Sequence, residues 1–144
     1  MKVLLLSLFV ASVWGLAPIF EKLSLIRTSP FTALTIRFMF TTSIVVILSI
    51  LTGNFKEITK VDPKSLLWIC LGGLIGGIVG LLVYFVVLKE NLTTRVIPLT
   101  ATFPLFTAFY AYLFLKENIT MLRLIGIILV VIGVVLINWS SFVR

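Results

Sequence analysis

Five apolar stretches, each about as long as a bilayer is thick when wound as a helix, occupy most of this sequence. A spanning helix needs about 20 mostly apolar residues. Helices are expected over about 3–26, 30–52, 65–88, 94–115 and 121–143. The first is uncharged from residue 3 to 20, the third throughout, the fourth from 96 and the fifth from 124; the second holds one charge, Arg37. The runs are continuous rather than alternating, and barrel strands are only about ten residues long, so strands are excluded. The expected fold is an all-α membrane protein of five transmembrane helices.

Composition agrees. The chain is 60% hydrophobic and 12% charged, too little polar surface for a water-soluble domain of 144 residues. Cys70 is the one cysteine and there is no histidine. That leaves no disulfide within one chain and no His/Cys metal set. Neither a nucleophile–base pair nor a Gly-rich phosphate loop with a lysine is present, so neither an enzyme nor a cofactor is expected, and ATP is not the energy source. The net charge of +7 is spread singly over the ends of apolar runs, as at membrane boundaries, rather than gathered on one face as nucleic-acid binding requires. Lys2 and the run after it resemble a secretory leader, but the only cleavage position, after Ala17, is followed by Pro18. An uncleaved first helix is expected.

Helix starts are marked by Ser29-Pro30 and Asp62-Pro63, each a capping side chain before a proline at the first helical position, and by Thr120. The loops between are short. The phrase Leu88-Lys-Glu-Asn-Leu-Thr93 returns as Leu115-Lys-Glu-Asn-Ile-Thr120, bracketing the fourth helix; two similar polar boundary turns explain it without an internal duplication.

With five spans the termini lie on opposite sides. The N-terminal side then carries Lys2, Lys56, Lys60, Lys64, Lys116 and Arg123; the other carries Lys22, Arg27, Lys89, Arg95 and Arg144. Orientation follows an excess of Lys and Arg on the cytoplasmic side, and six against five is scarcely an excess. Dual topology is the expectation, with an antiparallel homodimer forming the inverted pair that an alternating-access transporter uses. The opposing reading is a local bias that fixes one orientation.

Several residues sit where a bilayer disfavours them. Arg37 lies about 6 Å from the midplane and Glu21 about 10 Å, both toward the same side. A charge at such depth costs at least ~2.5 kcal/mol unless it is paired or faces water. A Glu21–Arg37 pair is therefore expected, and two roles stay open for Arg37: attracting an anionic group in a translocation path, or a packing salt bridge. Trp14, Gly15 and Pro18 fall near mid-membrane in the first helix. Pro18 removes a backbone hydrogen bond, and Trp14 either lines a cavity or packs against the glycines of the third helix. Pro98 and Pro104 free carbonyls in the fourth helix, which is tolerated where they are buried or line a wet space. With Thr100 and Thr107 beside them, this helix is the expected moving, cavity-lining element. Gly72, Gly76 and Gly80 form a small-residue strip for helix packing, with Tyr84 a turn beyond, and Gly126 and Gly133 suit a contact across the dimer.

In order and spacing these residues resemble the EamA-like domain of the drug/metabolite transporter superfamily. The matching elements are Trp14-Gly15 and Lys22, Ser29-Pro30 and Arg37, Tyr84, Pro104, Leu115-Lys116-Glu117, and Gly126 with Gly133. The resemblance covers nearly the whole chain. Most members carry two such domains fused as inverted halves, so it implies that this chain is one half and pairs with itself. It also implies alternating access for amino acids, other metabolites or drugs through a cavity that would include Trp14, Tyr84 and Pro104. The Gly126–Gly133 spacing is also similar to the dimer contact of small multidrug resistance proteins, although Glu21 is nearer the membrane edge than their mid-membrane glutamate. The function expected is secondary transport of small metabolites by a homodimer in the cytoplasmic membrane, with membrane lipid and a small-molecule substrate as the other partners. The alternatives are a proton-coupled exporter like those small proteins, or a non-transporting subunit of a larger complex.

Overall fold

The computed structural model describes residues 1–139 and is all-helical, with no strand among the described residues. Five helices are long and apolar enough to cross a membrane: α1 (Lys2–Leu25), α2 (Pro30–Leu51), α3 (Pro63–Glu90), α4 (Thr93–Leu115) and α5 (Met121–Trp139). The shortest, of 19 residues, is about 29 Å long at 1.5 Å per residue, close to the ~30 Å hydrocarbon thickness. The stretch 140–143, expected in the fifth helix, lies outside the described residues.

Local chemistry sets the starts. The Ser29 hydroxyl accepts the Thr32 N–H at 3.1 Å, with Pro30 behind it. The Asp62 carboxylate accepts the N–H groups of Lys64 and Ser65 at 3.1 and 3.0 Å. That cap starts α3 two residues before the apolar run that betrays it in the sequence. Ser65 side-chain and backbone hydrogen bonds hold the exposed Asp62 carboxyl below its ordinary range. Between α2 and α3, Gly53 adopts φ 76° and leads into a short 3-10 helix, Asn54–Lys60; the left-handed turn is one glycine makes without strain.

The chain divides into two compact units, Met1–Glu90 and the remainder from Asn91. In the first, α1, α2 and α3 pack on one another. Besides Pro18 within α1, its buried apolar residues are Leu25 at the end of α1, Ala33 and Leu34 at the start of α2, and Phe85 and Leu88 at the end of α3. These five belong to one membrane end. Apolar burial adds little between helices already in lipid, so packing and polar contacts decide association. That end supplies both. Lys22 Nζ donates to the Leu88 and Lys89 carbonyls at 2.6 and 2.9 Å. Lys89 Nζ donates to the Thr28 carbonyl at 2.9 Å. Lys22 thus satisfies carbonyls that the end of α3 leaves without intrahelical partners, and Lys89 ties the α1–α2 turn to α3.

Within α3, Gly73–Gly80 winds as a π-helix. The wider turn undoes the expected strip at every fourth residue, which presumes 3.6 residues per turn. Gly72 and Gly76 have no atom within 4 Å of where a side chain would begin. Gly77 is the glycine that meets another helix, with the Phe38 ring 3.5 Å from that point. Gly80 is confined by its own helix instead: a Cβ there would lie 3.2 Å from the Ile75 carbonyl oxygen.

In the second unit α4 and α5 run antiparallel. The prolines interrupt α4 at Ala101–Thr102, dividing it into Thr93–Thr100 and Phe103–Tyr110. A π-helical turn, Ala111–Leu115, then ends at Lys116 with φ 53°. Thr120 accepts the Arg123 N–H at 3.4 Å as α5 begins. Val96 and Val134 are buried, as is Asn138, whose Nδ2 donates to the Val134 carbonyl at 3.0 Å.

Candidate functional site

The end of the first unit that holds its core also gathers its deep charges. Arg37 from α2 donates through Nη1 to Glu21 Oε1 of α1. The Tyr84 hydroxyl of α3 donates to Glu21 Oε2 at 3.0 Å. Both carboxylate oxygens are thus engaged, each by a different helix. The Arg37 guanidinium stands 5.8 Å from the centroid of the Phe85 ring, within range of a cation–π contact. Pairing offsets the ~2.5 kcal/mol or more that an isolated charge costs at this depth, and three helices share one polar knot.

The knot borders a groove of about 630 Å³ in which Glu21 and Arg37 are the charged residues. Phe20, Ile36, Phe40 and Phe85 supply apolar wall, and Ser24 and Thr41 supply hydroxyls. Arg37 is the open member of the pair, its side chain 38% exposed against 13% for Glu21. A mostly apolar groove with a few convergent polar groups is the usual form of a small-molecule site.

The other expected site residues fall in different places. Pro18 is buried one turn before Glu21. Trp14 and Gly15 are exposed and do not line the groove, and Trp14 does not pack on the α3 glycines, since Gly72 and Gly76 have open space and Gly77 meets Phe38. Tyr84 reaches the site through Glu21 rather than as groove wall. Thr100, Pro104 and Thr107 belong to the second unit. There Pro104 and Thr107 line a cleft of about 250 Å³ with Glu117 and Arg123, while the Thr100 hydroxyl returns to the Ile97 carbonyl at 2.9 Å. Gly126 and Gly133 have no neighbour within 4 Å of their Cβ positions.

Sequence reasoning misses the Tyr84–Glu21 bond, the Phe85 ring beside Arg37 and the two lysine ties. Depth carries a usable signal for the first. Glu21, Arg37 and Tyr84 lie four, seven and six residues from the α1, α2 and α3 termini at that membrane end, which puts them within about 5 Å of one another along the membrane normal.

Five helices long and apolar enough to cross a membrane define a multi-pass membrane protein. The chain matches the EamA-like transporter family over residues 1–139 and belongs to that family. It is also 30% identical over 138 residues to an uncharacterized protein of Methanocaldococcus jannaschii, a match that covers 96% of this chain and 97% of that one. No solved structure matches. At the level of the family, this is a membrane transporter rather than an enzyme.

Proposed function

We propose that the chain is a secondary transporter of small metabolites, amino acids and related compounds among them, working by alternating access as an antiparallel homodimer in the cytoplasmic membrane. The observation that carries this reading is the Glu21–Arg37–Tyr84 knot beside a groove large enough for a metabolite. A deep arginine that is paired yet still half-open suits a solute path better than passive packing, where full burial of the pair serves as well.

The dimer reading draws on two features. Lys and Arg number six and five on the two sides, which leaves orientation unbiased. The space above Gly126 and Gly133 is open, and small residues let a second helix approach closely. In this reading the single five-helix chain is one half of an inverted pair. Arg37 and Tyr84 act at the groove, and the proline-broken α4, with Thr100, Pro104 and Thr107, supplies the bending element. Gly15 and Pro18 let α1 flex, with Trp14 turned to the partner copy. Export of cations in the manner of the small multidrug resistance proteins fits less well, because both oxygens of Glu21 are held within the chain.

The test is uptake of radiolabelled metabolites into proteoliposomes. Wild-type protein is expected to carry at least one of them, and Arg37→Ala to lose most of that flux. Absence of flux across an amino-acid and organic-acid panel, with the protein folded, favours a non-transporting subunit instead. A tag on the C-terminus is expected to be reachable from both membrane faces, and a single accessible face rules out the antiparallel pair.

A further inference from the structure

The groove offers a visitor nitrogen donors rather than carboxylate oxygens. Glu21 Oε1 is bound by Arg37 and Oε2 by Tyr84. A guanidinium, in contrast, has five N–H donors, and Glu21 is held through Nη1. Arg37 is also the more exposed partner, 38% against 13%. Around it the wall is largely aromatic and aliphatic. The complement to such a surface is a small monocarboxylate with an apolar body.

Charge decides how that anion is accommodated. The empty pair is neutral. A carboxylate placed on Arg37 beside an ionised Glu21 sets two negative charges against one positive at a depth where an unbalanced charge costs ~2.5 kcal/mol or more. Like charges within about 6 Å disfavour ionisation, so the arrangement returns to neutrality when Glu21 takes a proton. The geometry points to Glu21 as the resident occupant of the Arg37 site, displaced by a carboxylate ligand with uptake of one proton from water. The proton ends on a Glu21 carboxyl oxygen, the ligand carboxylate takes over the guanidinium donors, and Tyr84 keeps its hydroxyl proton. Among the described residues of the first unit, Arg37 from α2 and Tyr84 from α3 are the ionisable groups bonded to Glu21. Lys22 and Lys89, at the same membrane end, are tied to backbone carbonyls. This inference rests on the transporter reading above and adds to it a substrate class and a coupling ion.

Benzoate is a suitable probe, with benzylamine as the cation of the same shape. Binding to the purified full-length protein is followed by isothermal titration in buffers of different ionisation heat, which counts protons. About one proton is expected to be taken up per benzoate bound. Affinity should fall by up to about tenfold per pH unit while the empty site holds Glu21 ionised. Glu21→Gln removes the resident charge, and at about pH 8 it should bind benzoate about tenfold or more tightly with no proton uptake. Wild-type binding without proton uptake, no binding of benzoate, preference for benzylamine, or weaker benzoate binding by a Glu21→Gln protein that melts cooperatively would each overturn the inference. The wild-type proton count stands whether or not the variant folds. Because binding is measured apart from flux, metabolite uptake that persists while benzoate fails removes this inference and leaves the transporter reading standing.

Discussion

In the α1–α3 unit, charged side chains and the Tyr84 hydroxyl reach across to other helices, while its serine and threonine hydroxyls stay within their own. Arg37 and Tyr84 meet Glu21, Lys22 takes the terminal carbonyls of α3, and Lys89 takes a carbonyl of the α1–α2 turn. In the α4–α5 unit, hydroxyls beside the interruption in α4 bond within their own helix. The hydroxyls of Thr100 and Thr102 turn back to the Ile97 and Leu99 carbonyls of their own helix at 2.9 and 2.8 Å. The first arrangement ties three helices into one geometry. The second adds bonds that stay inside a proline-interrupted helix and so leave its pairing with other helices unconstrained. Under the proposed function, recognition falls to the first unit and bending to the second.

The largest expected effect tests the lock. Arg37→Ala leaves Glu21 without its charge partner and should destabilise the detergent-solubilised protein by about 2.5–3.5 kcal/mol, read as a fall in melting temperature. Adding Glu21→Ala should recover part of that loss, because no charge then remains uncompensated. A double variant as unstable as the sum of the singles shows that the two residues are not coupled and breaks the comparison. Next comes Lys22→Met, which keeps the aliphatic stem but removes the charged donor from two carbonyls; a loss of about 1.5–3 kcal/mol is expected. In the other unit, Thr102→Val deletes a hydroxyl bond internal to α4. That bond joins two neutral groups of one helix and contributes about 0.5–1.5 kcal/mol at most, so its effect should be smaller than that of Lys22→Met. Equal losses from the two would show that cross-helix and internal bonds contribute alike.

The smallest effect concerns the α3 cap. The folded Asp62 carboxyl titrates below its unfolded counterpart because Ser65 and the Lys64 N–H favour the ionised form. The cap's stabilisation is therefore complete above the ordinary carboxylate range and is lost as pH falls through the lower folded value. Asp62→Asn, which still caps, should flatten that acid-side slope in a pH series of melting curves while leaving neutral-pH stability almost unchanged.

Some of this architecture is legible in the linear order because it depends on local chemistry. Ser29-Pro30 and Asp62-Pro63 announce helix starts wherever they occur, and the number, class and order of the spans follow from run length alone. The depth of Arg37 and Glu21 is also a matter of counting, so their pairing can be anticipated from what an unpaired charge costs in lipid. The glycines of α3 are not legible in this way. Their spacing names a face only if the helix keeps 3.6 residues per turn, and between Gly73 and Gly80 it does not. Trp14 is not legible either, since its position along α1 says nothing of which way it faces; in the structure it is exposed and does not line the groove.

By itself the sequence determined that the chain lives in a membrane, how many times it crosses, where the crossings start and which charges must find partners, because transfer into lipid and helix capping act residue by residue. Only the tertiary structure decided that Tyr84 closes the second oxygen of Glu21, that Phe85 lies beside Arg37, that Gly77 rather than Gly76 receives a neighbouring ring, and that Lys22 holds the end of α3 while Lys89 holds the α1–α2 turn. Those contacts depend on the rotation of one helix against another, and in lipid that rotation is set by close packing and polar pairing rather than by any apolar stripe, since nearly every face of these helices is apolar.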